Sequence, residues 1–115
     1  MRIAVDAMGG DYAPQAIVEG ALLALRDCPD IEQMFLVGDE AAIQTELAKH
    51  GGGSPRVVIR HASEVVGMGD SPATAVRRKK DSSINRAMDL VKSGEAAAVF
   101  AAGNTGAAVA AATLK

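Results

Sequence analysis

Apolar and polar positions along the chain fall into short runs that alternate between a strand-like and a helix-like pattern. Arg2-Ile3-Ala4-Val5-Asp6 reads as a short buried strand whose aspartate marks its carboxyl end. Beyond it, Ile17, Val18, Ala21, Leu22 and Leu25 recur at helical spacing. Pro14 is placed for the first turn of that helix and Pro29 ends it. Met34-Phe35-Leu36-Val37-Gly38 is an unbroken apolar run, the mark of a parallel strand covered on both faces. Asp39 can cap the next helix, whose inward face is Ala42, Ile43 and Leu47, and the glycines at 51–53 stop it. Val57-Val58-Ile59 predicts a third strand, followed by a long loop from His61 to Ser71. Pro72 opens a short helix through Lys80. Asp81 or Ser82 caps another that runs through Leu90 and Val91, with Lys92 in its last turn and Gly94 as its stop. Ala98-Val99-Phe100-Ala101-Ala102 predicts a fourth strand, and an Ala-rich helix spans Ala107 to Leu114.

Strands that alternate with helices imply right-handed crossovers and an α/β fold with a parallel, doubly wound sheet. Residues 1–115 suffice for one domain, near the small end for this architecture. The helical pattern reaches Lys115 with no cap, glycine or polar tail. The expectation is therefore the N-terminal part of a single α/β domain whose remainder is missing, with a sheet edge left without its neighbour.

Composition narrows the chemistry. With two Phe, one Tyr and no Trp, the core must be built from Ala, Val, Ile, Leu and Met. A net charge of −2 gives no global field for nucleic acid or an anionic membrane. No apolar run approaches the roughly 18–20 residues of a membrane span, and no signal-peptide pattern opens the chain. The single cysteine, Cys28, cannot form an internal disulfide and has no neighbouring histidine to activate it. A cytosolic protein is the simple reading.

Ligands of open α/β sheets bind beyond the carboxyl ends of the strands, and there the polar and glycine residues concentrate. Gly103-Asn104-Thr105-Gly106 turns a strand into a helix, where exposed N–H groups and the helix dipole favour an anion. The same glycines also suit a plain N-cap turn. The sequence is neither a Walker loop nor a dinucleotide fingerprint, so those routes to nucleotide binding are not supported. Asp6-Ala7-Met8-Gly9-Gly10-Asp11 forms a similar loop. Its paired carboxylates, Asp6 and Asp11, can act as acid and base or hold a metal, or Asp6 can fix the loop by accepting backbone N–H bonds. Arg77-Arg78-Lys79-Lys80 fans around a helix, so at most two of the four face one ligand. A solvated face is the default for such a run. It leads, however, straight into Asp81-Ser82-Ser83, a helix start where guanidinium and free N–H groups together would hold phosphate. His61 could serve as a general base or be structural, and His50 reads as a helix-end residue. No His/Cys cluster has metal spacing.

Taken in order, Asp6–Asp11 with Pro14, Leu36-Val37-Gly38, His61-Ala62-Ser63-Glu64-Val65, Arg77 to Ser83 and Ala102-Gly103-Asn104-Thr105-Gly106-Ala107 closely resemble the N-terminal part of the bacterial phosphate acyltransferase (PlsX) family. The resemblance spans almost the whole chain. It implies a Rossmann-like three-layer α/β/α fold, related to phosphotransacetylases and isocitrate-dehydrogenase-like enzymes. It also implies transfer of a fatty acyl group from acyl carrier protein to inorganic phosphate, giving acyl phosphate for phospholipid synthesis. A homodimer, a downstream glycerol-3-phosphate acyltransferase and a peripheral association with the cytoplasmic membrane through parts beyond this chain follow from the same resemblance. No cofactor, metal or nucleic acid is implied.

Phosphate would attack the thioester directly, which calls for N–H donors and cations around a charged nucleophile and a developing oxyanion. The phosphate-binding positions expected on motif and chemistry are Asp6, Gly9, Gly10, Asp11, Arg77, Ser82, Ser83, Gly103, Asn104, Thr105 and Gly106. No residue is assigned as catalytic, because those usually so credited lie beyond this chain. Gly67-Met68-Gly69-Asp70 is looser and less acidic than the family pattern, and Ile84 stands where Met is usual. Two other readings stay open: a phosphate-binding fragment without turnover, and a related phosphotransacetylase or decarboxylating dehydrogenase that would need coenzyme A or NAD(P).

Overall fold

The computed structural model describes residues 1–67, 69–103 and 105–114. Among these, strands β1 (Arg2–Asp6), β2 (Gln33–Gly38), β3 (Val57–His61) and β4 (Ala98–Phe100) form one sheet in the order β3-β2-β1-β4. All pairings are parallel; Val5 lies opposite Leu36 on one side and Phe100 on the other. The chain builds outward from β1 to β3, then crosses back to place β4 on β1's free side. This reversal makes the crevice between β1 and β4 the topological switch point, where such sheets hold ligands.

Helices α1 (Gln15–Asp27) and α2 (Glu40–Ala48) cover one face, and α4 (Ser83–Lys92) covers the other. Alternate strand residues feed the two layers, as a period of two requires. Val5, Met34 and Leu36 join Val18, Leu25, Ile43 and Leu47 on the first face. Ala4, Phe35 and Val37 meet Ala87 and Leu90 on the second. A third cluster, with Val76, Ile84 and Ala107, binds α3 (Pro72–Arg78) and α5 (Thr105–Leu114) to α4. The α/β, Rossmann-like expectation is met, with a small sheet.

Element ends differ from the sequence pattern where tertiary contacts intervene. Pro14 stands at the cap before α1 rather than in its first turn, and Ala42 is only half-buried. β3 extends to His61, while β4 stops at Phe100, where Ala101 and Ala102 leave the sheet for the next loop. α5 starts at Thr105, two residues early. α3 ends at Arg78 rather than Lys80, because buried Asn85 of α4 holds its last carbonyls: Nδ2 donates to Val76 O (2.9 Å) and Lys79 O (3.0 Å). Removing that amide in Asn85→Ala strands two carbonyls in the interior. A loss of about 2 kcal/mol is expected in urea unfolding, and an unchanged midpoint would show that the α3–α4 corner does not depend on it.

Candidate functional site at the switch point

Asp6 ends β1 and is 6% exposed. Its Oδ1 accepts the Met8 N–H at 3.0 Å, so the carboxyl does tie the first turn of the loop. It also lines a cavity of about 10 Å³ together with Val66, Ile84, Ala101, Gly103 and Ala107. That is room for about one water-sized atom. Burial raises the pKa of Asp6, a shift only partly offset by Ser83 and the Met8 amide.

The two glycine loops meet over this cavity. A Cβ on Gly9 would lie 2.9 Å from Gly103 N, and one on Gly103 would lie 3.0 Å from Gly9 Cα. Backbone therefore packs on backbone, a contact only glycine permits. Gly10 takes a left-handed φ of +93° above the Ala102 carbonyl. Asp11 is exposed and does not line the cavity, so the two loop carboxylates have different surroundings. Among the described residues, no cluster of three or more His, Cys, Asp or Glu is set to hold a metal.

The Asp81-Ser82-Ser83 segment divides its labour. Ser82 caps α4, its Oγ accepting the Asn85 N–H at 3.2 Å. Ser83 donates its N–H to Glu64 O at 3.0 Å. Two of the first three amides of α4 are thus already used, against the expectation of free N–H groups there. The Ser83 hydroxyl is different: it is 1% exposed, faces Asp6 and makes no hydrogen bond of good geometry. Asp81 instead organises the loop from β3. It accepts from Ser63 Oγ (2.6 Å), Ser63 N (3.0 Å) and Arg86 Nε (2.7 Å).

The Ser63 hydroxyl, then Arg86, hold Asp81 well below the ordinary carboxylate pKa of 3.8. A depressed pKa contributes stability that is present above the unfolded value and lost as pH falls toward the folded one. Thermal midpoints should therefore drop below about pH 4, and Asp81→Asn should flatten that drop; parallel acid profiles would contradict the assignment.

The basic run contributes less than its charge suggests. Lys79 Nζ binds Val65 O and Asp70 Oδ2, both at 2.9 Å, bracing the long loop. Among the described residues, Arg77 is exposed and does not line the cavity, and Arg78 and Lys80 are exposed as well. His61 Nδ1 accepts the Glu40 N–H at 3.2 Å, a structural contact at the start of α2, where Asp39 caps Ala41 N. Cys28 and His50 are exposed at helix ends. Asn104 lies outside the described residues; Thr105 and Gly106 open α5. The structure thus brings together Asp6, Gly9, Gly10, Ser83 and Gly103. Sequence reasoning missed Asn85, whose only signal is an amide on the inward face of an amphipathic helix.

The fold and its closed glycine loops define a Rossmann-like α/β protein with a polar site at the switch point. Residues 1–115 match the family described as "Fatty acid synthesis protein", and the chain belongs to it. It is 55% identical over 115 residues to a protein of Akkermansia muciniphila named "Phosphate acyltransferase", covering all of this chain and 33% of that one. A protein of the same name from Geobacter sulfurreducens is 59% identical over 111 residues, 96% of this chain and 32% of the relative. Another, from Pelotomaculum thermopropionicum, is 54% identical over 112 residues, 97% of this chain and 32% of the relative. The resemblance carried by the ordered motifs is borne out. The chain spans about a third of the length of these curated relatives. Among the described residues, no helix is long and apolar enough to cross a membrane.

Proposed function

We propose that the full-length protein transfers a fatty acyl group from acyl carrier protein to inorganic phosphate. A phosphate oxygen bonds to the thioester carbonyl carbon, the C–S bond breaks, and the carrier leaves as its thiol with the acyl phosphate as co-product. The observation that carries this reading is the match of the entire chain to proteins named phosphate acyltransferase. The meeting of both glycine loops at the switch point supports it. Asp6, Gly9, Gly10, Ser83 and Gly103 would line the phosphate site, with Ser82 holding the helix that presents Ser83. Arg77, Asp11, Asn104, Thr105 and Gly106 complete the proposed set on motif and chemistry. Acyl phosphate would pass to a glycerol-3-phosphate acyltransferase for phospholipid synthesis. The protein would work as a cytoplasmic homodimer at the membrane surface.

The test is release of carrier thiol from acyl carrier protein thioester by the full-length protein. Release should rise with phosphate and not with chloride at matched ionic strength. Phosphate-independent or absent release would defeat the proposal. A second reading, anion binding without turnover, suits residues 1–115 alone, because they span about a third of the length of these relatives. It is distinguished by phosphate binding without thiol release.

A further inference from the structure

We propose that Asp6 lets the site tell phosphate from sulfate, its carboxylate accepting the hydrogen bond of a P–OH group that enters the small cavity beneath the two glycine loops. The inference rests on the phosphate reading above and adds to it the basis of anion selection. Sulfate and phosphate share size and tetrahedral shape, so geometry alone separates them poorly. They differ in protons: near neutral pH inorganic phosphate keeps at least one, and sulfate keeps none. A buried acceptor therefore gains a hydrogen bond from one anion and meets only lone pairs on the other, which is specificity by built-in repulsion.

The geometry matches this task. The cavity of about 10 Å³ accepts a single oxygen-sized atom, and among the described residues its only side-chain polar group is the Asp6 carboxyl. Met8 N–H fixes Oδ1, and Oδ2 lies on the Gly9 side. The Ser83 hydroxyl, 1% exposed and without a well-formed hydrogen bond, faces the same carboxyl from the start of α4. A buried hydroxyl and a buried carboxyl thus converge at one spot, with only Oδ1 of the carboxyl held by the backbone. Burial makes the carboxylate a better proton acceptor. No Lys or Arg lines the cavity to neutralise it among the described residues, so a fully ionised anion is repelled there.

The experiment is equilibrium dialysis of the full-length protein and its Asp6→Asn variant with labelled phosphate and, separately, labelled sulfate, which needs no turnover. Asn keeps the Oδ1 acceptor for Met8 and turns an N–H₂ donor toward the cavity. The wild type should bind phosphate well and sulfate poorly. In Asp6→Asn, phosphate affinity should fall about tenfold and sulfate affinity rise about tenfold, the weight of one hydrogen bond to a charged group each way. Sulfate affinity that is unchanged or lost in a variant of native circular dichroism overturns the inference alone. A wild type that binds no phosphate overturns it together with the functional reading.

Discussion

Gly9→Ala is expected to reduce phosphate-dependent thiol release by the full-length protein about 100-fold, the scale of loss when reacting groups are displaced by about 1 Å. The added methyl meets Gly103 N at 2.9 Å, Gly103 Cα at 3.2 Å and Asp6 Oδ2 at 3.4 Å. The first two are backbone atoms and cannot rotate away, so the loops must part. Because the displaced segments carry Asp6 and Gly103 of the cavity lining, the change acts on the site rather than on the distant core. Overpacking of this kind also costs about 1–3 kcal/mol of stability. Gly20→Ala is the control. Gly20 sits in α1 with nothing within 4 Å of the point a methyl would occupy. Alanine there should stabilise the helix by up to about 1 kcal/mol and leave release unchanged. Release by Gly9→Ala within twofold of wild type would mean that the close approach of the loops serves folding alone.

The strands are legible because parallel strands are written as short apolar runs. β2 is one along nearly its whole buried length, while β1 and the edge strand β3 are apolar over residues 3–5 and 57–59. The apolar pattern overstates β4 by two residues, since Ala101 and Ala102 carry no polar signal for the bend that brings Gly103 against Gly9. The end of α3 is set by a contact, Asn85 on Val76 and Lys79, that joins residues of two helices and leaves no local pattern. At the candidate site, the sequence marks the two glycine loops that the structure brings together, and it also marks a basic run that lies outside the cavity lining. Charge draws attention to the run 77–80, yet Lys79 is committed to Asp70 and Val65, and Arg77 is exposed away from the cavity lining. The loop glycines are legible as a class only: Gly10 uses its left-handed φ, whereas Gly9 and Gly103 serve close packing. Asp6 has two readings in the sequence, loop anchor or site carboxylate. The structure shows the loop anchor, Oδ1 accepting from Met8 N–H, and it leaves the carboxyl lining the cavity on which the proposed site role rests.

Asp6→Asn should raise the thermal midpoint at neutral pH while weakening phosphate binding, separating what this residue does for the fold from what it does for the site. The structural role survives the change, since the amide oxygen can still accept from Met8 N–H. The cost of holding a charge in a nearly closed cavity disappears. Its pH dependence follows from the direction of the shift: burial raises the folded pKa of Asp6 above the ordinary 3.8. The folded state then binds its proton more tightly than the unfolded chain. That contribution is complete below about pH 3.8 and is lost as pH rises through the folded value. The gap in midpoint between variant and wild type should accordingly open as pH rises from about 4 toward neutrality and stay level above. Asp81 titrates with the opposite sign, so the pair of variants bends the same stability profile in opposite directions. A gap for Asp6→Asn that is constant from acid to neutral pH would show that the buried carboxyl carries no penalty for its charge. A carboxylate kept at such a position at the expense of stability is what a binding site requires and a packed core does not.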